Sequence, residues 1–126
     1  MKITSFNPLI VTTDAAPVIR LFEELGFERR HSISANDIDG AEITTVRMKD
    51  ANGFYVDVAQ APNLPQDLSL IRMNVDDFDE GWNFLTERGF HPVRGKDETL
   101  NTKTNKSLMM VSPSGFAFDL CQHIKD

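Results

Sequence analysis

Two halves of this 126-residue chain carry the same punctuation at the same spacing. Asp14 is followed twelve residues later by Gly26-Phe27, and Asp77 is followed twelve residues later by Gly89-Phe90. Gly53-Phe54-Tyr55-Val56-Asp57-Val58 recurs as Gly115-Phe116-Ala117-Phe118-Asp119-Leu120. The offsets are 63 and 62 residues, half the chain. A duplicated unit usually packs against its own copy, and the seam between copies is a natural place for a ligand.

Hydrophobic periodicity fills in the elements. Residues 7–12 read as a strand, with Pro8 suiting an edge or a strand start. Thr13 or Asp14 caps a helix, and Pro17 fits its first turn. Val18, Leu21, Phe22 and Leu25 fall at i, i+3, i+4 and i+7, predicting one buried face that ends at Gly26. Strands follow at 27–34 and 41–48, joined by a turn at Asn36-Asp37-Ile38-Asp39-Gly40. Asp50-Ala51-Asn52-Gly53 makes a tight turn into a closing strand, 54–59. Module one is residues 4–60, a β-α-β-β-β unit; 61–67 is a proline-containing linker. Module two, 68–123, repeats the order. Asp77 caps a helix with Phe78, Trp82 and Leu85 inward, and a polar loop spans 94–105. A loop of that length is expected to be functional or mobile.

Composition excludes several classes. The formal net charge of -6 and pI of about 5.0 lack the basic footprint of a nucleic-acid or anionic-membrane binder, and permit a cationic small ligand. A single cysteine, Cys121, cannot form an internal disulfide framework and fits a reducing cytoplasm. No apolar run reaches membrane-spanning length, and the opening Met1-Lys2-Ile3-Thr4-Ser5-Phe6 is too polar for a signal peptide.

Two tandem β-α-β-β-β units, each opening on a strand, a capping Asp, a helix and Gly-Phe, and each closing on a turn glycine with an acid four residues later, resemble the vicinal oxygen chelate superfamily. That group holds glyoxalase I, extradiol dioxygenases and fosfomycin- and bleomycin-resistance proteins. The resemblance spans residues 4–123. It implies an α+β fold in which each module curls its mixed sheet into half a barrel, with one helix outside and a cleft between the modules. It also implies a homodimer. Metal-dependent members place His on the first strand of each unit and Glu on each closing strand. Carried over, those positions are Asn7, Leu70, Asp57 and Asp119. Leu70 has no donor atom and Asn7 is a poor ligand for a transition metal, so the expectation is a chain without the metal. Two short acids and an amide remain a weak hard-cation set at best.

Strand alternation sorts the rest. If those four positions face the cleft, its polar residues are Asn7, Tyr55, Asp57, Arg72, Asn74 and Asp119, while Ile10, Val56, Val58, Ile71, Met73, Val75, Phe116, Phe118 and Leu120 face the helices. So many polar groups on one strand face need partners, solvent or ligand. Arg72 either pairs with Asp57 or Asp119 and neutralises the former metal position, or receives a ligand carboxylate or phosphate; a ligand competing with the internal pair would reconcile the two. Tyr55 can stack on a ligand or pack under the 94–105 loop. His31 and His91 miss the ligand positions and read as surface or half-buried residues. Asp119, Cys121 and His123 share a strand face, but no positive neighbour that would activate a thiolate is evident.

The reading is a cytoplasmic protein that binds a small molecule in the cleft between modules without metal, with no nucleic-acid or membrane partner. The alternatives are a divalent-metal-dependent lyase, isomerase or dioxygenase of the same superfamily, and a non-catalytic interaction module.

Overall fold

The computed structural model describes residues 1–36, 42–93, 100–101 and 105–123. The turn expected at 36–40 and most of the loop expected at 94–105 lie outside them. The chain forms two compact units: Asn7–Ser69, and Leu70–Asp126 together with Met1–Phe6.

The N-terminal unit contains β1 (Ile3–Thr12, of which Asn7–Thr12 belong here), α1 (Ala15–Glu24), β2 (Glu28–Asn36), β3 (Glu42–Lys49) and β4 (Tyr55–Gln60). Its strand order is β2-β3-β4-β1. β1 runs parallel to β4, with Leu9 opposite Asp57, and the other pairs are antiparallel. The C-terminal unit contains β5 (Leu68–Val75, of which Leu70–Val75 belong here), α2 (Phe78–Glu87), β6 (His91–Pro92), β7 (Leu100–Asn101), β8 (Asn105–Val111) and β9 (Ala117–His123). Its order is β5-β9-β8-β6, with β7 also on β8 and β5 parallel to β9. Each unit is thus a mixed, curled half-barrel sheet with one helix, the α+β class expected from the repeat.

The repeated residues are the ones that make the corners. Gly26, Gly53, Gly89 and Gly115 all have positive φ, between 88° and 108°, where a Cβ is disfavoured. Phe27 N–H donates to Phe22 O and Phe90 N–H to Leu85 O, closing both helices in the same six-residue loop. At the turns into the closing strands, the Asp50 carboxylate accepts from the Asn52 and Phe54 amides, and the Ser112 hydroxyl accepts from Gly115 and Phe116. The helix starts repeat too. Asp14 and Asp77 accept from Ala16 and Glu80. Gln60 and Gln122, at the ends of β4 and β9, accept from the first helical amides of Ala15 and Phe78 at 2.9 and 2.7 Å. Each closing strand therefore anchors its own unit's helix.

Each unit has its own apolar layer. Val46, Met48, Val56 and Val58 pack under Ala15 and Ile19, joined by Ile10, Val18, Phe22 and Phe27. Met73, Val75, Leu108, Met110 and Leu120 pack under Phe78 and Leu85, joined by Trp82, Phe90 and Phe118. The helix-facing strand residues expected from alternation are in these layers, except Ile71 and Phe116. Ile71 is only half-buried, near the start of β5. The Phe116 ring is half exposed and packs edge-on to Phe90 and Phe118. The α1 stripe is also corrected. Leu21 and Leu25 are exposed, and the buried face is Ala15, Val18, Ile19 and Phe22, the same spacing rotated by part of a turn. Counting the stripe from Ala15, directly after the Asp14 cap, rather than from Val18 sets that phase.

Candidate ligand-binding site

The closing-strand acids are buried charged groups, one in each unit. Asp57, on β4, is wholly inaccessible, and Asp119, on β9, is 7 % exposed. A carboxylate so placed must be compensated, because burying an unpaired charge costs several kcal/mol.

In the N-terminal unit the compensation comes from β3. Arg47 lies directly opposite Asp57 in the antiparallel register. Its Nε donates to Oδ1 and its Nη2 to Oδ2, both at 2.9 Å. This is the two-point fork that guanidinium and carboxylate planes share. Asn7 closes the ring: its Nδ2 donates to Asp57 Oδ2 at 2.9 Å, while its Oδ1 accepts from Arg47 Nη2 at 3.1 Å. The same Nδ2 reaches Pro8 O. Asn7, Arg47 and Asp57 thus form one hydrogen-bonded cluster.

In the C-terminal unit the compensation comes from β5. Arg72 lies opposite Asp119 in the parallel register, and its Nε donates to Oδ2 at 2.9 Å. Cys121 Sγ, buried two residues along β9, donates to the same oxygen at 3.3 Å. Asn74 donates to Ser5 Oγ at 2.7 Å. Leu70 is buried and His123 is exposed at the strand end. Of the residues expected at the site, Asn7 and Asp57 are brought together in one cluster, with Tyr55 two residues before Asp57 on β4. Arg72 and Asp119 make the second cluster.

A metal at the superfamily positions needs lone pairs free to converge. Both Asp57 oxygens accept from a permanently charged guanidinium, the Asn7 carbonyl accepts from it too, Arg72 takes an Asp119 oxygen, and Leu70 offers none. The residues do not fit a divalent cation. No group of three or more His, Cys, Asp or Glu among the described residues is placed to hold one.

The N-terminal unit also has an open cleft of about 340 Å³, lined by Arg30, His31, Arg47, Lys49 and Tyr55. Lys49 lies opposite Tyr55, and His31 opposite Arg47. The Arg47 guanidinium and the Lys49 ammonium sit 4.9 and 5.3 Å from the Tyr55 ring centre. These are cation–π distances that leave both side chains as donors. Tyr55 was expected at the site. Arg47, Lys49, Arg30 and His31 were not. The first two were legible in the alternation Val46-Arg47-Met48-Lys49, where Val46 and Met48 go to the helix and the two cations to the opposite face. Arg30 and His31 are consecutive and line the same cleft because β2 is bulged between Arg29 and His31. His31 is exposed, as the reading of it as a surface residue expects, but its place in the cleft lining is new.

No protein-family model matches the sequence, and no curated protein matches it. Solved structures do. A methylmalonyl-CoA epimerase from Streptomyces coelicolor, in complex with 2-nitronate-propionyl-CoA, superposes with a TM-score of 0.68 at 14% identity, covering 98% of this chain and 100% of that one. Glyoxalase I from Zea mays gives 0.64 at 14% identity over 98% of this chain and 44% of that one. A glyoxalase/bleomycin resistance protein/dioxygenase superfamily member from Vibrio splendidus gives 0.56 at 18% identity over 96% and 99%. With the doubled β-α-β-β-β order and its closing-strand acids, these likenesses give the chain the fold of the vicinal oxygen chelate superfamily.

Proposed function

We propose that this chain binds an organic small molecule non-covalently and without a divalent metal, using the cleft of its N-terminal unit. The observation that carries the reading is the Asn7–Arg47–Asp57 cluster beside that cleft: a guanidinium forked onto the buried carboxylate where metal-dependent members place a metal-binding acid. Arg47 both holds Asp57 and lines the cleft, so the group that neutralises the acid also presents to a ligand. A volume of about 340 Å³ lies at the lower end of the range for small-molecule sites, roughly 300–1,000 Å³.

The alternative in the same superfamily is a metal-dependent lyase, isomerase or dioxygenase, and nothing in the donor set favours it. The test is metal content of protein purified without chelator, with a melting screen against Ni²⁺, Zn²⁺, Fe²⁺ and Mn²⁺. We expect substoichiometric metal and no shift. A ligand that binds only the folded state stabilises it by about 2.7 kcal/mol at a hundredfold excess over Kd, so a functional metal site would be plain in the melt. Near-stoichiometric metal with a shift of several degrees would sink the reading.

A further inference from the structure

The repeat supplies an internal control for the cleft. Register by register, the pair Lys49–Tyr55 corresponds to Val111–Ala117, and Arg47–Asp57 corresponds to Met109–Asp119. Arg30, sixty-three residues on, corresponds to Val93. Where one copy presents Arg, Lys and Tyr, the other presents Met, Val and Ala. A solvated strand face would need no such difference, and the chain as a whole is acidic at -6. Three cationic side chains are gathered around one cleft of an acidic protein.

The charge count sets the class of ligand. Asp57 offsets Arg47. Lys49 makes no ion pair among the described residues. Among the described residues Arg30 pairs with the exposed Glu28, at 3.9 Å, a contact of little energetic weight. The cleft therefore carries about two positive charges in excess. A monocarboxylate would satisfy one. The donors also differ in shape: two planar guanidinium forks, a point-charge ammonium and an imidazole edge, arriving from β2 and β3. That suits a tetrahedral oxyanion with several acceptor oxygens better than a planar carboxylate. The aliphatic stems of Arg30 and Lys49 and the Tyr55 ring supply apolar wall for an attached organic group.

We infer that the cleft takes the phosphate of a phosphomonoester, with Arg30, Lys49 and the outward edge of Arg47 as its donors and His31 beside them in the lining. The inference rests on the small-molecule reading above and names its ligand class. It replaces the cationic ligand that the net charge permits.

The test is isothermal titration of the full chain with phenyl phosphate, inorganic phosphate, benzoate and benzylamine. Phenyl phosphate should bind at least about tenfold more tightly than benzoate or inorganic phosphate, and benzylamine should give no saturable heat. K49Q and R30Q should each weaken phenyl phosphate by about tenfold, the scale of one charge-assisted hydrogen bond. R20Q, which removes the same charge from the exposed face of α1, should leave the affinity unchanged. The melting temperature of each unliganded variant reports whether it has folded. Equal affinity for inorganic phosphate overturns the organic-ester claim. Tighter binding of benzoate or benzylamine, or no loss in K49Q and R30Q, overturns the phosphate site while leaving small-molecule binding in place. No heat with any of the four overturns the inference, and the metal screen then decides whether the wider reading falls with it.

Discussion

The N-terminal copy holds its closing-strand acid from the antiparallel side, through Arg47 on β3; the C-terminal copy holds its own from the parallel side, through Arg72 on β5. The positions are exchanged. Leu9 stands opposite Asp57 where Arg72 stands opposite Asp119, and Met109 stands opposite Asp119 where Arg47 stands opposite Asp57. Each copy therefore has one cation and one apolar residue flanking the acid, on opposite sides. What the two copies share is charge balance, which burial demands, and not the location of the charge, which the fold leaves open. The copies also differ in depth. Asp57 has no exposed surface and takes a two-point fork from Arg47, while the Asp119 side chain is 11% exposed and accepts from Arg72 Nε and Cys121 Sγ.

That difference orders the expected effects. Arg47→Ala should be the most damaging change, lowering stability by about 3–5 kcal/mol in urea unfolding, because it strands a buried carboxylate. Arg72→Ala should cost less, about 2 kcal/mol, since Asp119 reaches some solvent and keeps Cys121 nearby. Equal losses at the two sites would remove the distinction between the copies. Glycine substitutions sharpen it in a second way. Gly89→Ala meets Pro113 Cγ at 2.8 Å as well as a φ of 88°, whereas Gly26→Ala meets nothing within 4 Å. Both should lose about 1–2 kcal/mol from the left-handed backbone, with Gly89→Ala the larger by chemical denaturation. At the small end the copies should agree. Gln60→Ala and Gln122→Ala each remove one bond to a helix's first amide and should each cost about 1 kcal/mol. Unlike values would mean that the two helices are not anchored alike.

Much of this is legible in the sequence. The four glycines, the two capping aspartates and the two closing-strand acids are local signals, because each answers to backbone geometry or charge within a few residues. Strand alternation then placed Val56, Val58, Met73, Val75 and Leu120 correctly under the helices. Three things were harder. The Arg47 cluster depends on which strand lies beside β4, which is a matter of pairing and not of local pattern. The bulge at Arg30 breaks the period-two rule, so a reading built on strict alternation separates Arg30 from His31 when the fold puts them on one cleft. The α1 stripe hinged on where the helix begins, since Val18 and Phe22 fit both phases and only the Asp14 cap chooses Ala15 and Ile19 over Leu21 and Leu25. Gln60 and Gln122 were visible as a further repeat at the 62-residue offset, but their role needed the helix amides in view.

The most direct test of the account is a double-mutant cycle on Arg47 and Asp57, using Arg47→Ala, Asp57→Asn and the pair, measured by urea unfolding in the presence of chelator. If the guanidinium compensates the buried acid, the two changes should be strongly non-additive, with a coupling of about 2–3 kcal/mol and the double variant more stable than Arg47→Ala alone. Additive losses, with Asp57→Asn no better tolerated in the Arg47→Ala background than in the wild type, would contradict the claim that Arg47 compensates the buried Asp57.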